Sequence, residues 1–565
     1  MAFGQKSCKV PIMRAIKLGS WRLGILVLVC GCNGIAVRDA GTGTEAASGG
    51  ALGGAAAATS TTSGGVRVVG STGRTIGADL GGSSGSSLVV VAATGGAGGN
   101  ASTGQYMTGQ GGSFVVSSSD RTTVHGGSSS IVSGSGVTGG TTSMPIQVGT
   151  PIGVVYAAKR PGGVMLGNCT GHLLALDKQD NLIAVGPRTA HDLSQPDPGP
   201  ALLKLSPSGQ ELQLKEYPDA VMPEVLAVDS TGAVIMAGQL YRTVSFGVST
   251  LQAVQNGFYL AKIDSSGNEV WAKAVTRPDT FWLRGITVDV AGNIYVGGSQ
   301  DDMSAGWLEH AYVARYSADG TENWHQQFSN TNSTANAHGL AFLSSGALVV
   351  AGAFNGTMQV GPTVLKTTAT SLGYESYNGW FTQLAAATGS PSGTQRFGGT
   401  LFDLANAVGV TRSDGIRLAG TLSGASIVAG VSAEANIDGS PFVADVNASG
   451  QGQWVRLLGN LGSVFSAATG YKDRTVAVGR FDTDEWIASG NVDNSSAFVS
   501  IVENDGTVSQ QSTYPTRSNG ASAVVTDSHG GVWVSGEFIG TVAFGTKTLQ
   551  STDYQLFLVK LNPTP

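Results

Sequence analysis

The chain has 565 residues, 84 of them glycine, only 12% charged, and a formal net charge of −6. That balance disfavours nucleic acid as a partner, because binding it needs a basic footprint. Four cysteines are too few to build a disulfide scaffold.

Residues 1–31 carry Lys6, Lys9, Arg14, Lys17 and Arg22 with no acid, then the short apolar run Leu23-Gly-Ile-Leu-Val-Leu-Val29 and Cys30-Gly31-Cys32. The run falls far below the roughly 20 apolar residues that span a bilayer, so it reads as an export signal. Val29-Cys30-Gly31-Cys32 is similar to the lipobox of bacterial lipoproteins. That likeness implies acylation of Cys32 after removal of 1–31, and Asn33 in place of an Asp implies the outer membrane or cell surface. Of the four cysteines only Cys169 would then remain unmodified, so no internal disulfide is expected. Losing the five basic residues takes the net charge from −6 to −11, all of it on the C-terminal part.

Residues 32–150 are rich in Gly, Ser, Thr and Ala, with Tyr106 and Phe114 as the aromatics. Such a composition supports no packed core and predicts a flexible tether, about 60 Å end to end as a coil. Leu88-Val-Val-Val91 and Phe114-Val-Val116 hint instead at a glycine-rich solenoid.

From 151 to 565 one pattern recurs seven times. The clearest copy is Ile286-Thr-Val-Asp289-Val-Ala-Gly292-Asn293-Ile-Tyr-Val-Gly-Gly298: an alternating strand, an Asp-x-x-Gly turn, and a β-branched strand ending in Gly. Equivalent second strands end at Gly186, Gly238, Gly298, Gly352, Gly420, Gly479 and Gly536, and third strands start near Leu202, Leu260, Val313, Phe381, Val443, Val499 and Leu558. A period of four short strands predicts an all-β, seven-bladed propeller. The last copy lacks its fourth strand, and Val154-Val-Tyr-Ala-Ala-Lys159 has no partner. The N-terminal strand is therefore expected to close the last blade, which removes two open edges at once.

The repeats resemble the SBBP-type β-propeller repeats of bacterial surface and secreted proteins. Asp229, Asp289 and Asp527 keep the turn Asp, and Gly398-Gly399-Thr-Leu-Phe-Asp403-Leu-Ala405 matches the family's inter-blade G-G-x-x-x-D-x-A. Ser344, Arg412 and Lys472 depart from it at the turn. The likeness implies a fold and a surface location but no reaction.

No paired spacing among the seven histidines suggests a metal, and one carboxylate per turn falls short of the six to eight oxygens calcium takes. The turn Asp residues read as Asx caps. Ala261-Lys-Ile-Asp264-Ser-Ser-Gly267-Asn-Glu-Val-Trp271 resembles the tryptophan-docking motif of quinone-cofactor propellers, but its turn is one residue short. Trp271, Trp324 and Trp454 are expected to pack between blades, with no cofactor.

The connections between second and third strands, 187–200, 299–310 and 353–378, are long and unequal, which suits a binding face. Asp301, Asp302, Trp307, Glu309, Tyr374, Glu375, Tyr377 and Trp380 are the candidate contacts, suited to a carbohydrate or protein ligand. Arms of T-x-x-[FV]-G type, 243–247, 357–361 and 541–545, read as structural. The expected function is an envelope lipoprotein that presents its propeller for binding. One alternative is a polysaccharide hydrolase or lyase using Asp279, Asp301 or Asp403, and another is a scaffold in an envelope assembly.

Overall fold

Alternation of apolar and polar residues, broken every five to nine positions by a turn, gives seven four-stranded antiparallel sheets. The computed structural model describes residues 173–187, 199–253, 257–277, 279–302, 308–328, 334–367, 376–482, 495–518 and 520–563. It also describes the backbone of strands at 25–30, 34–39, 65–70, 75–79, 89–92 and 153–160. Cys32 lies outside these residues. The chain divides into two units. One takes Arg14–Leu26 and Asp39–Gly136 and contains a small sheet ordered Thr75–Asp79, Gly65–Gly70, Val89–Ala92. The other takes Met1–Met13, Val27–Arg38 and Val137–Pro565 and contains the seven sheets. No helix among the described residues is long and apolar enough to cross a membrane.

The sheets are blades spanning 174–216, 225–276, 280–328, 334–397, 404–457, 462–514 and 521–562, with strands lettered A to D in order. Each A strand neighbours the A strand of the next blade, and that of blade 7 neighbours that of blade 1, so the blades form a closed ring around their inner strands. Gly153–Arg160 pairs antiparallel with the C strand Lys547–Asn562 and supplies strand D of blade 7, from Leu556↔Arg160 to Asn562↔Gly153. The expected closure by an N-terminal strand is the one observed.

Cohesion lies between blades. Phe258 and Leu260 of blade 2 pack against Phe281 and Tyr312 of blade 3, and Ala311 and Val313 of blade 3 face Leu348, Val350 and Trp380 of blade 4. Trp271 donates to the carbonyl of Ala318 (3.2 Å), Trp324 to that of Ala386 (3.0 Å) and Trp454 to that of Asn504 (3.1 Å), each in the C–D turn of the following blade. The indoles lie over Gly320, Gly389 and Gly506, where φ is +76°, +71° and +83° and a Cβ would meet the ring at 2.7–2.8 Å. These tryptophans are inter-blade packing, as the short turn of their motif suggested.

The A–B turns carry a second set of ties. Asp289 Oδ1 accepts from the N–H groups of Ala291 and Asn293, both at 2.9 Å, the expected Asx cap. In blades 1, 2 and 7 the same Asp also binds a lysine of strand C: Asp177–Lys204 (2.9 Å), Asp229–Lys262 (2.8 Å) and Asp527–Lys560 (2.8 Å). Blade 5 moves the pair outward to Arg417 and Asp445 (2.5 Å). The hydrogen bonds that define the turn correct its phase in the degenerate blades. Leu343, Thr411 and Gly470 hold the Asp position, not Ser344, Arg412 and Lys472. Thr411 Oγ1 accepts from Gly415 N–H at 2.8 Å and so replaces the missing carboxylate.

Strand B also runs past the glycine at which the repeat seemed to end, as in Ile294–Asp302 and Ala347–Asn355. Strand A bulges opposite that glycine in blades 3 to 7, at Arg284, His338, Asn406, Phe465 and Ser522. A Cβ at Gly298, Gly352, Gly420 or Gly479 would run into the inner-strand carbonyl of Trp282, Asn336, Leu404 or Ser463. The glycine is needed for this close approach, not for a turn. The predicted arms are β-hairpins, Val244–Ser245 with Thr250–Leu251, Thr357–Val360 with Thr363–Lys366, and 541–544 with 547–550. A fourth, Ala425–Val428 with Val431–Glu434, lies where the sequence signalled none. Each tucks apolar residues into a core: Val244 and Phe246, Met358 and Val360, Val542 and Phe544, and Val428.

Candidate functional site

Antiparallel order places A–B and C–D turns at one end of every blade and B–C and D–A connections at the other, the loop end. In blade 3, strands A (Thr280–Val288), B (Ile294–Asp302) and C (Leu308–Tyr316) are each nine residues long and carry polar side chains to that end. Asp301 lies directly opposite Glu309 on strand C and Thr280 on strand A. Cross-strand partners point to one side of the sheet, here the side of Ser299 and Ala311, which faces blade 4. Trp282 Nε1 donates to Asp301 Oδ2 at 2.9 Å, and Ser299 Oγ donates to Glu309 Oε1 at 2.7 Å. On the side facing blade 2, Gln300 Nε2 donates to Asp279 Oδ2 at 2.5 Å beside His310, its cross-strand neighbour.

Arg284, at the inner-strand bulge, is the cation of the group. The residue is 9% exposed, and among the described residues its Nε and Nη1 make no hydrogen bond. The Leu283 N–H beside it donates to Glu224 Oε2 at 2.8 Å. His310 is 8% exposed and its Nδ1 is likewise enclosed without a partner. Burial pushes the Asp301 carboxyl up to about 7; the charge of Glu309 adds to this, and the Trp282 bond and Arg284 oppose it. Burial raises Glu309 too, against Ser299 and Arg284, and holds His310 below its ordinary value despite Asp302 and Asp279.

Two carboxyls rooted on facing residues of neighbouring strands start from Cα atoms about 5 Å apart and stand side by side. Burial, with the charge of Glu309 added, keeps a proton on Asp301 up to near neutral pH. Carboxyls on one sheet face do not bracket a bond from two sides, as glycoside cleavage requires. What the group offers is a fixed set of donors and acceptors around a guanidinium.

The other sequence candidates fall elsewhere. Trp307, Tyr374 and Glu375 lie outside the described residues. Asp302 ends strand B next to this group. Tyr377 stacks on Phe402 (5.9 Å, 17°) and its hydroxyl lies 3.1 Å from Thr334 Oγ1. Trp380 is a correction: it is fully buried, donates to the Asn336 carbonyl at 3.0 Å and packs edge-on against Phe328. It is core, because Gly352 opposite leaves room for the indole. Asp403 is also fully buried. It accepts from Gly399 N–H (2.8 Å), Ser423 N–H (3.0 Å), Ser426 Oγ (2.8 Å) and Asn378 Nδ2 (3.3 Å), which makes it the anchor of the blade 4–5 crossover. Sequence reasoning missed Trp282, Arg284 and His310. An arginine inside the apolar run Phe281-Trp-Leu-Arg-Gly-Ile286 was the available signal.

At the opposite end Asp180, Asp527 and His529 come within metal-chelating distance of one another. Their oxygens are already taken. Asp527 meets Lys560 and accepts from the N–H groups of His529 (3.0 Å) and Gly531 (2.6 Å), and Asp180 accepts from Ser528 N–H (3.1 Å) and Oγ (2.5 Å). The trio is a clasp between blades 7 and 1. Asp414 repeats it on Ser344 and Asp473 on Arg412 N–H, each from the left-handed fourth position of its turn.

No family model matches the sequence, and no curated protein does. Among solved structures the chain is similar to streptogramin B lyase, with 12% identity, 72% of this chain and 98% of that one covered, and a TM-score of 0.36. It is similar to a chain of the mitotic checkpoint complex (11%, 76% and 98%, 0.38). It is also similar to the α-L-arabinanase of Penicillium chrysogenum complexed with arabinobiose (9%, 74% and 99%, 0.35). The seven-bladed architecture rests on the strand pairing of this chain, and no activity is carried over at such values.

Proposed function

We propose that this chain is an exported lipoprotein, anchored through Cys32 in the outer membrane or at the cell surface, that uses the loop end of its propeller to bind a carbohydrate or protein ligand. The observation that carries the binding role is the gathering of Arg284, Asp301, Glu309 and His310 at the loop end of one blade, with enclosed donors on Arg284 that no described residue accepts from. Buried polar groups in a stable fold are normally satisfied, and an exception calls for a partner such as water, an ion or a ligand. The export signal and the acidic propeller fit a role outside the cytoplasm.

A hydrolase or lyase is the second reading: the acids of this face do not bracket a bond from two sides, but Asp301, protonated near neutrality, is by itself the kind of acid such chemistry uses. The two readings separate in one experiment. The full chain, made in a host that lipidates Cys32, is screened against glycan and surface-protein arrays while reducing-end release from the same polysaccharides is followed. Binding without release supports the proposal. Release of new ends, lost in Asp301→Asn, replaces it with the enzyme, and lipid labelling that persists in Cys32→Ala removes the anchor.

A further inference from the structure

We propose that Arg284, Asp301, Glu309 and Trp282 form the binding site for a neutral, polyhydroxylated ligand, one sugar unit of an uncharged glycan, at the loop end of blade 3. This rests on the reading of that end as the binding face and names the class of ligand it takes. Arg284 fixes the first requirement. A buried guanidinium whose Nε and Nη1, with three N–H donors between them, find no acceptor among the described residues needs acceptor oxygens from its ligand. A cationic group brings none, and would set a second positive charge beside the arginine.

The surroundings fix the second. Asp301 and Glu309 face each other within electrostatic reach of Arg284, and Glu224, Asp279 and Asp302 lie at the same end of the blade, so acids outnumber the guanidinium there. An anionic ligand, a uronate or phosphate, would meet a negative field in a low-dielectric setting that Arg284 alone does not cancel. A hydroxyl group meets both conditions, since it accepts from Arg284 and donates to a carboxylate. Two neighbouring hydroxyls can do so together, one on the guanidinium and one on the paired acids. Trp282, held in place by its bond to Asp301, gives the aromatic surface on which the C–H face of a sugar ring packs. The same residues suit a metal poorly. Among the described residues the one group whose ligand atoms converge for an ion is Asp180, Asp527 and His529, at the other end of the propeller.

The test is calorimetric titration of the full chain with neutral gluco-, manno-, xylo- and arabino-oligosaccharides, and with oligogalacturonate and oligolysine as charged counterparts. The expected result is saturable binding of a neutral oligosaccharide. Arg284→Gln and Glu309→Leu should weaken it at least tenfold, and Asp414→Ala at the turn end should not change it. Asp301→Asn keeps the shape and the acceptor for Trp282, so it folds even if Arg284→Gln does not, and it too should weaken binding. Preference for oligogalacturonate or oligolysine overturns the inference. So does neutral-sugar binding that is unchanged in Asp301→Asn and in folded Arg284→Gln. If that binding is instead lost in Tyr377→Ala, the loop end remains the binding face and the inference alone has failed. If no glycan and no surface protein binds the wild type, the binding role fails as well.

Discussion

Asp301→Asn should stabilise the protein more at pH 8 than at pH 5. Burial and then the charge of Glu309 push the Asp301 carboxyl from the ordinary 3.8 up to about 7. A carboxyl raised on folding keeps a proton that the unfolded chain has released. Its contribution to stability is therefore complete below 3.8, is lost as pH rises through the folded value, and stays lost above it. Between pH 5 and 8 that window removes about 2–3 kcal/mol from the wild type. Asparagine does not ionise yet still accepts from Trp282, so the variant loses this slope. The raw curves mix several groups. Glu309, Asp403, Asp445 and Asp482 are also raised by burial and slope the same way, whereas His310, lowered by burial, adds stability as pH rises toward 6.5. These remain in both proteins, so the difference between them reports Asp301 together with its coupling to Glu309. Urea unfolding followed by tryptophan fluorescence at pH 5, 6, 7 and 8 gives that difference. A gap that stays constant within about 0.5 kcal/mol across the series would refute the reasoning.

Three further perturbations test the frame around the site. Deleting residues 153–160 strips the outer strand from blade 7 and exposes the backbone edge of Lys547–Asn562. At about 1 kcal/mol per lost hydrogen bond the cost is roughly 5–7 kcal/mol, and size-exclusion chromatography should show association through the open edge. Asp403→Ala leaves the Gly399 and Ser423 N–H groups without an acceptor in a dry interior, so a loss of about 3–5 kcal/mol in urea unfolding is expected, with ligand binding unchanged. Lys560→Met leaves Asp527 buried without its cation and should cost about 3–5 kcal/mol near pH 7. Asp527 is held low in the wild type, so its stabilisation is present above 3.8. Without the lysine the sign reverses, and the variant should regain stability as the pH is lowered toward 4.

The architecture was legible because its signals are local. Alternation, a turn every few residues and a recurring glycine survive in each copy, and seven copies in phase leave a ring closed by Gly153–Arg160 as the arrangement without open edges. Phase failed where the local signal failed. With Leu343, Thr411 and Gly470 at the turn Asp position there is no carboxylate to mark it, and the nearest polar residue was mistaken for its replacement. Trp380 looked like a loop residue because the hairpin Thr357–Lys366 sits between its strand and the preceding one and hides where the strand begins. Asp301 and Glu309 were identifiable as acids near a long connection, but their being opposite one another depends on strands B and C continuing past Gly298. Arg284 stood out as a charge in an apolar run, but where it points was not legible, since a bulge is set by the backbone meeting a glycine on the next strand.

That bulge also explains why the site belongs to blade 3. An inner-strand bulge turns one side chain out of the alternation, and blades 3 to 7 each have one. In blade 4, His338 Nδ1 lies 3.1 Å from the Ala405 carbonyl and 3.0 Å from Asn406 Oδ1 of blade 5. In blade 5, Asn406 donates to the Val464 carbonyl of blade 6 at 2.8 Å. Phe465 of blade 6 has no polar atom to satisfy, and packs near the Arg480 guanidinium. In these blades the residue at the bulge ties one inner strand to the next or fills space, which is work for the ring itself. Arg284 holds the same position with the longest reach and the most donors, and among the described residues its Nε and Nη1 make no such tie. It is turned instead among acids whose charge it only partly offsets. A repeat that meets its structural needs with His, Asn or Phe at this position gains nothing structural from an unsatisfied arginine. The departure is therefore best explained by a partner outside the fold, with acceptors to offer.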